Sequence, residues 1–151
     1  MADPRALDPA QVTLDAPFVI VPDIARFEPP DVVVFCPFRS MTVADVERVA
    51  VFARDLAERT GGIFTVSDAT TSGVQLQYSL SAALEMNRQF NARQIRAAAA
   101  VGASFSMRTL SDTLMRAARL LKLEMASIPV RFFDDHASAR AWFDELRNPS
   151  A

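Results

Sequence analysis

Four short apolar runs, "DVVVFC", "IFTV", "AAAAV" and "VRFF", are separated by longer stretches whose apolar residues recur at three and four positions. No other feature restricts the fold as much. An extended run, a helical stretch and another extended run require a crossover connection, which sets neighbouring strands parallel and lays the helices against the sheet. At the start of the chain, "IARFE" and "DVVVFC" meet at Pro29-Pro30. Proline lacks the N–H of a ladder and fixes φ, so this pair predicts a turn between antiparallel strands. "PFVIV" before them predicts a further edge strand. The expected architecture is one α/β domain, with a mixed, mostly parallel sheet, about four helices and a short antiparallel hairpin at its N-terminal end.

The helical stretches have their own punctuation. In the first, Val46, Val49, Ala50, Ala53, Leu56 and Ala57 form an apolar stripe, Thr42 is placed to cap it and Gly61-Gly62 to stop it. Val51 and Phe52 fall outside that stripe. "QLQYSLSAALEMNRQF" predicts a second helix with Leu76, Leu80, Ala83 and Leu84 inward. Alanine favours helix at 97–101, yet one helix from 75 to 101 would remove a strand from the alternation, so 97–101 is expected to be a strand with Gly102 permitting a tight exit. Ser104 predicts the cap of a third helix facing inward through Met107, Leu110, Leu114, Ala117 and Leu121. Pro129 opens the last strand. Asp134 or Asp135 caps a final helix carrying Ala139, Trp142, Phe143 and Leu146.

A chain of 151 residues fits one core. Prolines at 4, 9 and 17 mark residues 1–16 as a flexible arm, with the domain over 17–147 and a tail over 148–151. A single cysteine excludes an intrachain disulfide, and the N-terminus lacks the basic and apolar regions of a secretion signal, so a cytoplasmic location is expected. No apolar run reaches the roughly 18 residues of a membrane span, so no membrane insertion is expected. A pI near 5.4 argues against a dedicated nucleic-acid binder. A homo-oligomer is compatible with the sequence.

The motifs that carry chemistry are few. The four glycines do not fit the phosphate-cradling G-x-G-x-x-G or Walker spacing, so no nucleotide cofactor is expected. Cys36 before Pro37 would need an Arg six positions on to make a phosphatase loop, and that position is Thr42; an inert, buried thiol is the simpler reading. His136 stands beside Asp134 and Asp135 at a helix start, where it could act as a base. With one histidine in the chain, a multi-histidine metal site is excluded. No catalytic set of acid, base and nucleophile can be assembled, so the chain is not expected to be an enzyme.

Two clusters remain. In "VSDATTSG" an apolar run ends at Val66 and gives way to Asp68, Thr70, Thr71, Ser72 and Gly73, at the strand-to-helix junction where α/β folds gather ligands and switches. There a hydroxyl can cap the next helix, and a phosphate would add close to two negative charges. The second cluster is basic: Arg88, Arg93, Arg96, Arg108, Arg116 and Arg119 lie in a stretch holding one acid, Asp112. They form either a solvated face or a surface for an anionic partner.

An apolar strand followed by Asp68 and Thr71-Ser72-Gly73, the small-residue strand and helix start "AAAAVGASFSMRTL", and the closing "IPVRFFDDHASARAWFDEL" together resemble the STAS domains of bacterial anti-sigma-factor antagonists, in particular the SpoIIAA-like group, over residues 31–146. The resemblance implies a STAS-like fold and a regulatory, non-catalytic module that binds a protein partner in signalling. Matched residue by residue, Thr71 takes the place of the family's phosphate acceptor, and Thr70 stands where the family has an acid. The alternative, from another class, is a carrier of a small apolar ligand or lipid, suggested by the Phe- and Met-rich composition.

Overall fold

A computed structural model describes residues 7–36, 42–70, 88 and 91–149, and its six strands form one mixed sheet in chain order. β1 (Phe18–Val21), β2 (Ala25–Glu28) and β3 (Val32–Phe35) run antiparallel to one another; β4 (Ile63–Asp68), β5 (Ile95–Val101) and β6 (Val130–Phe133) continue the sheet in parallel. Pro29 and Pro30 occupy the turn between β2 and β3, and the alanine-rich segment is a strand. The α-helices among the described residues are α1 (Val43–Thr60), α2 (Phe105–Leu120) and α3 (His136–Arg147). The helix expected over residues 75–90 lies outside the described residues, apart from the single helical position Arg88.

Strand periodicity splits the core in two. Val33 and Phe35 of β3 face α1, with Ile20, Phe27, Val49, Phe52, Leu56 and Ile63, while Val32 and Val34 face α3, with Phe64, Val66, Ala97, Ala99, Trp142 and Phe143. All four residues of β3 are buried, the pattern of a strand covered on both faces. In the second cluster Phe64 stacks on Phe143 at 4.6 Å between ring centroids, and Trp142 bridges Phe143 and Phe133 at 5.6 Å from each. Ala97 and Ala99 are the small residues against which these rings close.

α1 starts and stops as its sequence implies. The Thr42 hydroxyl accepts from Asp45 N–H at 3.1 Å and the Asp45 carboxylate accepts from Thr42 N–H at 2.9 Å, a reciprocal cap that satisfies two otherwise unpaired donors. Gly61, at φ 80°, ends the helix by donating to the Ala57 carbonyl at 2.9 Å. Phe52, off the apolar stripe of α1, meets another part of the fold: it is 1% exposed and tilts against Phe18 at 5.8 Å, with the Arg48 guanidinium 5.0 Å from its ring. β1 wraps over that flank of α1 and widens the buried face. Its neighbour Val51 is 48% exposed.

α2 differs more. Its partly or fully buried positions are Met107, Arg108, Ser111, Met115 and Ala118, mostly one residue round from the expected face, and Leu110, Leu114 and Ala117 are exposed, as is Leu121 beyond its end. Within the segment expected to be a loose arm, Val12 is buried, and the Arg59 guanidinium donates to the carbonyls of Pro9 at 3.3 Å and Val12 at 2.8 Å. In α3 the buried residues are Ala139, Trp142 and Phe143. Among the described residues no helix is long and apolar enough to cross a membrane.

At the N-terminal ends of the parallel strands, Asp31 is buried and accepts from Arg147 Nη2 at 2.5 Å and Nε at 3.2 Å. Arg96 lies 3.8 Å from the same carboxylate. Arg96 and Arg147 both lie against the Phe64 ring, at 4.6 and 4.9 Å from its centroid. These contacts join α3 to the start of β3, and they raise the Arg147 pKa, chiefly through the hydrogen bonds to Asp31.

Candidate functional site

The opposite ends of the parallel strands converge on Asp68. The side chain points to the same face as Phe64 and Val66, because all three share strand parity, and so a carboxylate is carried into the apolar layer beneath α3. Buried charge is tolerated only when partnered. Oδ1 accepts from Thr70 N–H at 2.8 Å and from the Thr70 hydroxyl at 2.5 Å; Oδ2 lies 3.0 Å from His136 Nε2. An ionised carboxylate only accepts, so the imidazole carries its proton on Nε2 in this pair.

His136 reaches Asp68 because of how α3 begins. Asp135 caps the helix, its Oδ1 accepting from Ser138 N–H at 2.7 Å, and His136 is then the first helical residue. The Ser138 hydrogen bonds hold the Asp135 carboxyl below its ordinary value of 3.8. For Asp68, burial pushes the pKa up, but the hydrogen bonds from Thr70 and His136 together outweigh it and leave the group below 3.8. The site is thus an anionic clamp that joins the last residue of β4 to the first residue of α3.

The turn leaving β4 is fixed on its other side as well. Ala69 N–H donates to the Val101 carbonyl at 2.8 Å, and Gly102 N–H to the Phe133 carbonyl at 3.0 Å, so the exits of β4 and β5 are tied to the strands beside them. Gly102 has φ +74°, and a Cβ there would stand 2.7 Å from Thr70 Cγ2 and 3.1 Å from Thr70 N. A glycine is required for Thr70 to lie where it does.

Of the sequence-derived site residues, Asp68 and Thr70 therefore come together, with His136 as a partner that the sequence did not reveal. Thr71, Ser72 and Gly73 lie outside the described residues. The Thr70 hydroxyl, expected among the candidate helix caps, instead donates to Asp68. Parity held a usable signal: an acid in register with two buried apolar residues needs a cation or donors, and the chain has one histidine. Among the described residues no group of three His, Cys, Asp or Glu side chains is arranged to hold a metal ion. Cys36 is half-buried.

The basic residues do not share one surface. Arg96 is engaged by Asp31 and Phe64 at the start of β5, whereas Arg108, at the far end of the strands, pairs with Asp134 at 3.2 Å and stacks 5.6 Å over Phe132. Arg93 is exposed in a short 3-10 turn (Ala92–Gln94) before β5, and Arg88 is exposed. Arg116 and Arg119 converge on an open groove of about 540 Å³ between α2 and β6 that Arg131 also lines.

No family model, curated protein or solved structure matches this chain. The architecture is an α/β fold with a six-stranded mixed sheet.

Proposed function

We propose that this chain is a non-catalytic regulatory module of STAS-like type, which binds a protein partner through the turn leaving β4 and is switched there, in the manner of an anti-sigma-type partner exchange. The observation that carries this reading is the double use of the Asp68 carboxylate, one oxygen on Thr70 and the other on His136. Such a clamp holds the backbone at Thr70, the residue before Thr71-Ser72-Gly73 in sequence, and it spends the acid and the imidazole on each other. A rigid platform leading into consecutive hydroxyls suits a surface whose charge is changed by a modification. The α/β scaffold supports the reading by placing this turn at the C-terminal ends of the parallel strands.

The test begins with the full chain, tagged and recovered from its native cells, with mass spectrometry used to identify the bound partner and any phosphate on Thr71 or Ser72. Affinity for that partner is then measured for Thr71→Glu, Ser72→Glu and the matching alanine variants. The expected result is a change of about tenfold or more on introducing the charge at one of these positions, with little change for alanine. Unchanged affinity for all four variants would remove the turn from the interface.

A further inference from the structure

Among the described residues β6 ends the sheet, pairing only with β5. The carbonyls of Pro129 and Phe133 accept from Ala98 and Gly102 across that pair, at 2.9 and 3.0 Å. Residues of a strand alternate in the direction of their backbone groups, so the N–H and C=O of Val130 and Phe132 are directed away from β5. The groove of about 540 Å³ follows this edge: it touches Val130, Arg131 and Phe132 in succession, and consecutive residues on alternate faces share a groove only along the strand's side. Its walls are Arg116 and Arg119 of α2 on one side and Trp142 of α3 on the other.

The groove carries a strong charge sign. Arg116, Arg119 and Arg131 face one acid, Asp112. Among the described residues no carboxylate forms an ion pair with any of those three guanidiniums; Arg131 lies instead 5.4 Å over the Trp142 ring. Arg116 and Arg119 are three apart on a helix and therefore stand on the same side of it. A charged edge discourages pairing with an identical edge, which would bring Arg131 against its own copy. The same charge favours an acidic strand.

We propose that the outer edge of β6 is a docking site for an extended acidic peptide of a partner protein, which adds to the sheet as a seventh strand through the backbone of Val130 and Phe132 and directs alternate carboxylates at Arg116 and Arg119. Main-chain pairing provides the attachment, and the arginines select the sequence. The site lies toward the Pro129 end of β6, whereas the Asp68 clamp is at the other end of the parallel strands, so the proposal does not depend on the switch described above.

The experiment uses the full chain and a fluorescein-labelled peptide of about eight residues alternating Glu with Val, the length of an ordinary strand. Binding is followed by anisotropy and by the backbone amide resonances of the protein. The expected result is saturable binding that moves the Val130 and Phe132 amides and weakens about tenfold or more in three cases: alternate N-methylation of the peptide along one edge, Lys for Glu in the peptide, and Arg116→Glu with Arg119→Glu in the protein. Both arginines are exposed, and unchanged circular dichroism would show that the double variant folds. The Lys peptide should regain affinity for that variant. Equal binding of peptides N-methylated along either edge would show a simple charged patch and overturn the strand assignment. Absent binding, shifts confined to other residues, or a matched-charge oligonucleotide taking the groove in preference to the peptide would each overturn the site.

Discussion

His136 Nε2 lies 3.0 Å from Asp68 Oδ2, an ion-pair geometry that connects two positions 68 residues apart in sequence. The contact lies where β4 delivers an acid into an apolar layer and α3 delivers a histidine at its first turn. Fold and candidate site therefore share the same carboxylate, and a change at Asp68 should register in stability, in pH dependence and in partner binding.

Asp68→Asn should lower stability at neutral pH by about 1–3 kcal/mol, because it removes a charged acceptor and leaves buried groups imperfectly paired. The pH profile separates charge from packing. The folded-state pKa of Asp68 lies below the ordinary 3.8. Its stabilising contribution is therefore fully present above 3.8 and declines as pH falls from there through the folded value. Urea titrations from pH 6 down to pH 2 should show a shallower acid loss in Asp68→Asn than in the parent, and parallel profiles would mean that the carboxylate is not held as described.

Gly102→Ala tests the clamp from its other side. The added methyl group would meet Thr70 at 2.7 Å on a backbone of φ +74°, a conformation that L side chains adopt at a cost of order 1–2 kcal/mol before any clash is counted. The expected result is a destabilisation of about 1–3 kcal/mol and displaced amide resonances at Ala69 and Thr70. Gly61→Ala, also at a left-handed φ but with open space around it, should destabilise without moving those resonances. A Gly102 variant as stable as the parent would contradict the close approach of the two turns.

Much of this fold was legible in local pattern. Six extended runs and the helix starts at Thr42, Ser104 and Asp135 follow from short-range rules, since a cap or a strand is decided within a few residues. What was not legible depends on which element covers which face. Phe52 lies off the stripe of α1 when that helix is considered alone, and only β1 lying over it accounts for its burial. The inward face of α2 lies one residue round from the expected one for the related reason that a helix rich in Leu and Ala offers more than one apolar stripe, and the neighbouring elements, among them the 3-10 turn Glu124–Ser127, select among them. At the site, Asp68 and Thr70 could be singled out from "VSDATTSG", but His136 and the Asp31–Arg147 pair join distant segments whose spacing in sequence carries no periodic signal. The groove at β6 needed Arg131, which stands outside the basic stretch altogether.

The covered flank of α1 gives a sharp contrast between adjacent residues. Phe52→Ala should cost about 3–5 kcal/mol, the range for deleting a buried aromatic side chain, whereas Val51→Ala should stay within about 0.5 kcal/mol. Chemical denaturation of the two variants decides the point. Comparable losses would mean that β1 does not lie over α1 as found.

Arg147 provides the last test, at the end of the molecule away from the clamp. Its Nη2 and Nε reach the buried Asp31 at 2.5 and 3.2 Å, and its Nη1 pairs with the exposed Asp144. Removing Arg147 leaves the buried Asp31 carboxylate with only the longer Arg96 contact, at 3.8 Å, so Arg147→Ala should destabilise by up to about 3–5 kcal/mol. Arg147→Lys keeps the charge but loses the two-pronged geometry and the flat contact with Phe64 at 4.9 Å, and it should recover only part of the loss. Neutralising both partners with Asp31→Asn and Arg147→Leu should be milder than Arg147→Ala alone, since no buried carboxylate then remains and Arg96 is open to solvent. Losses that simply add in the double variant would show the two residues to be independent, and would break the link proposed here between α3 and the start of β3.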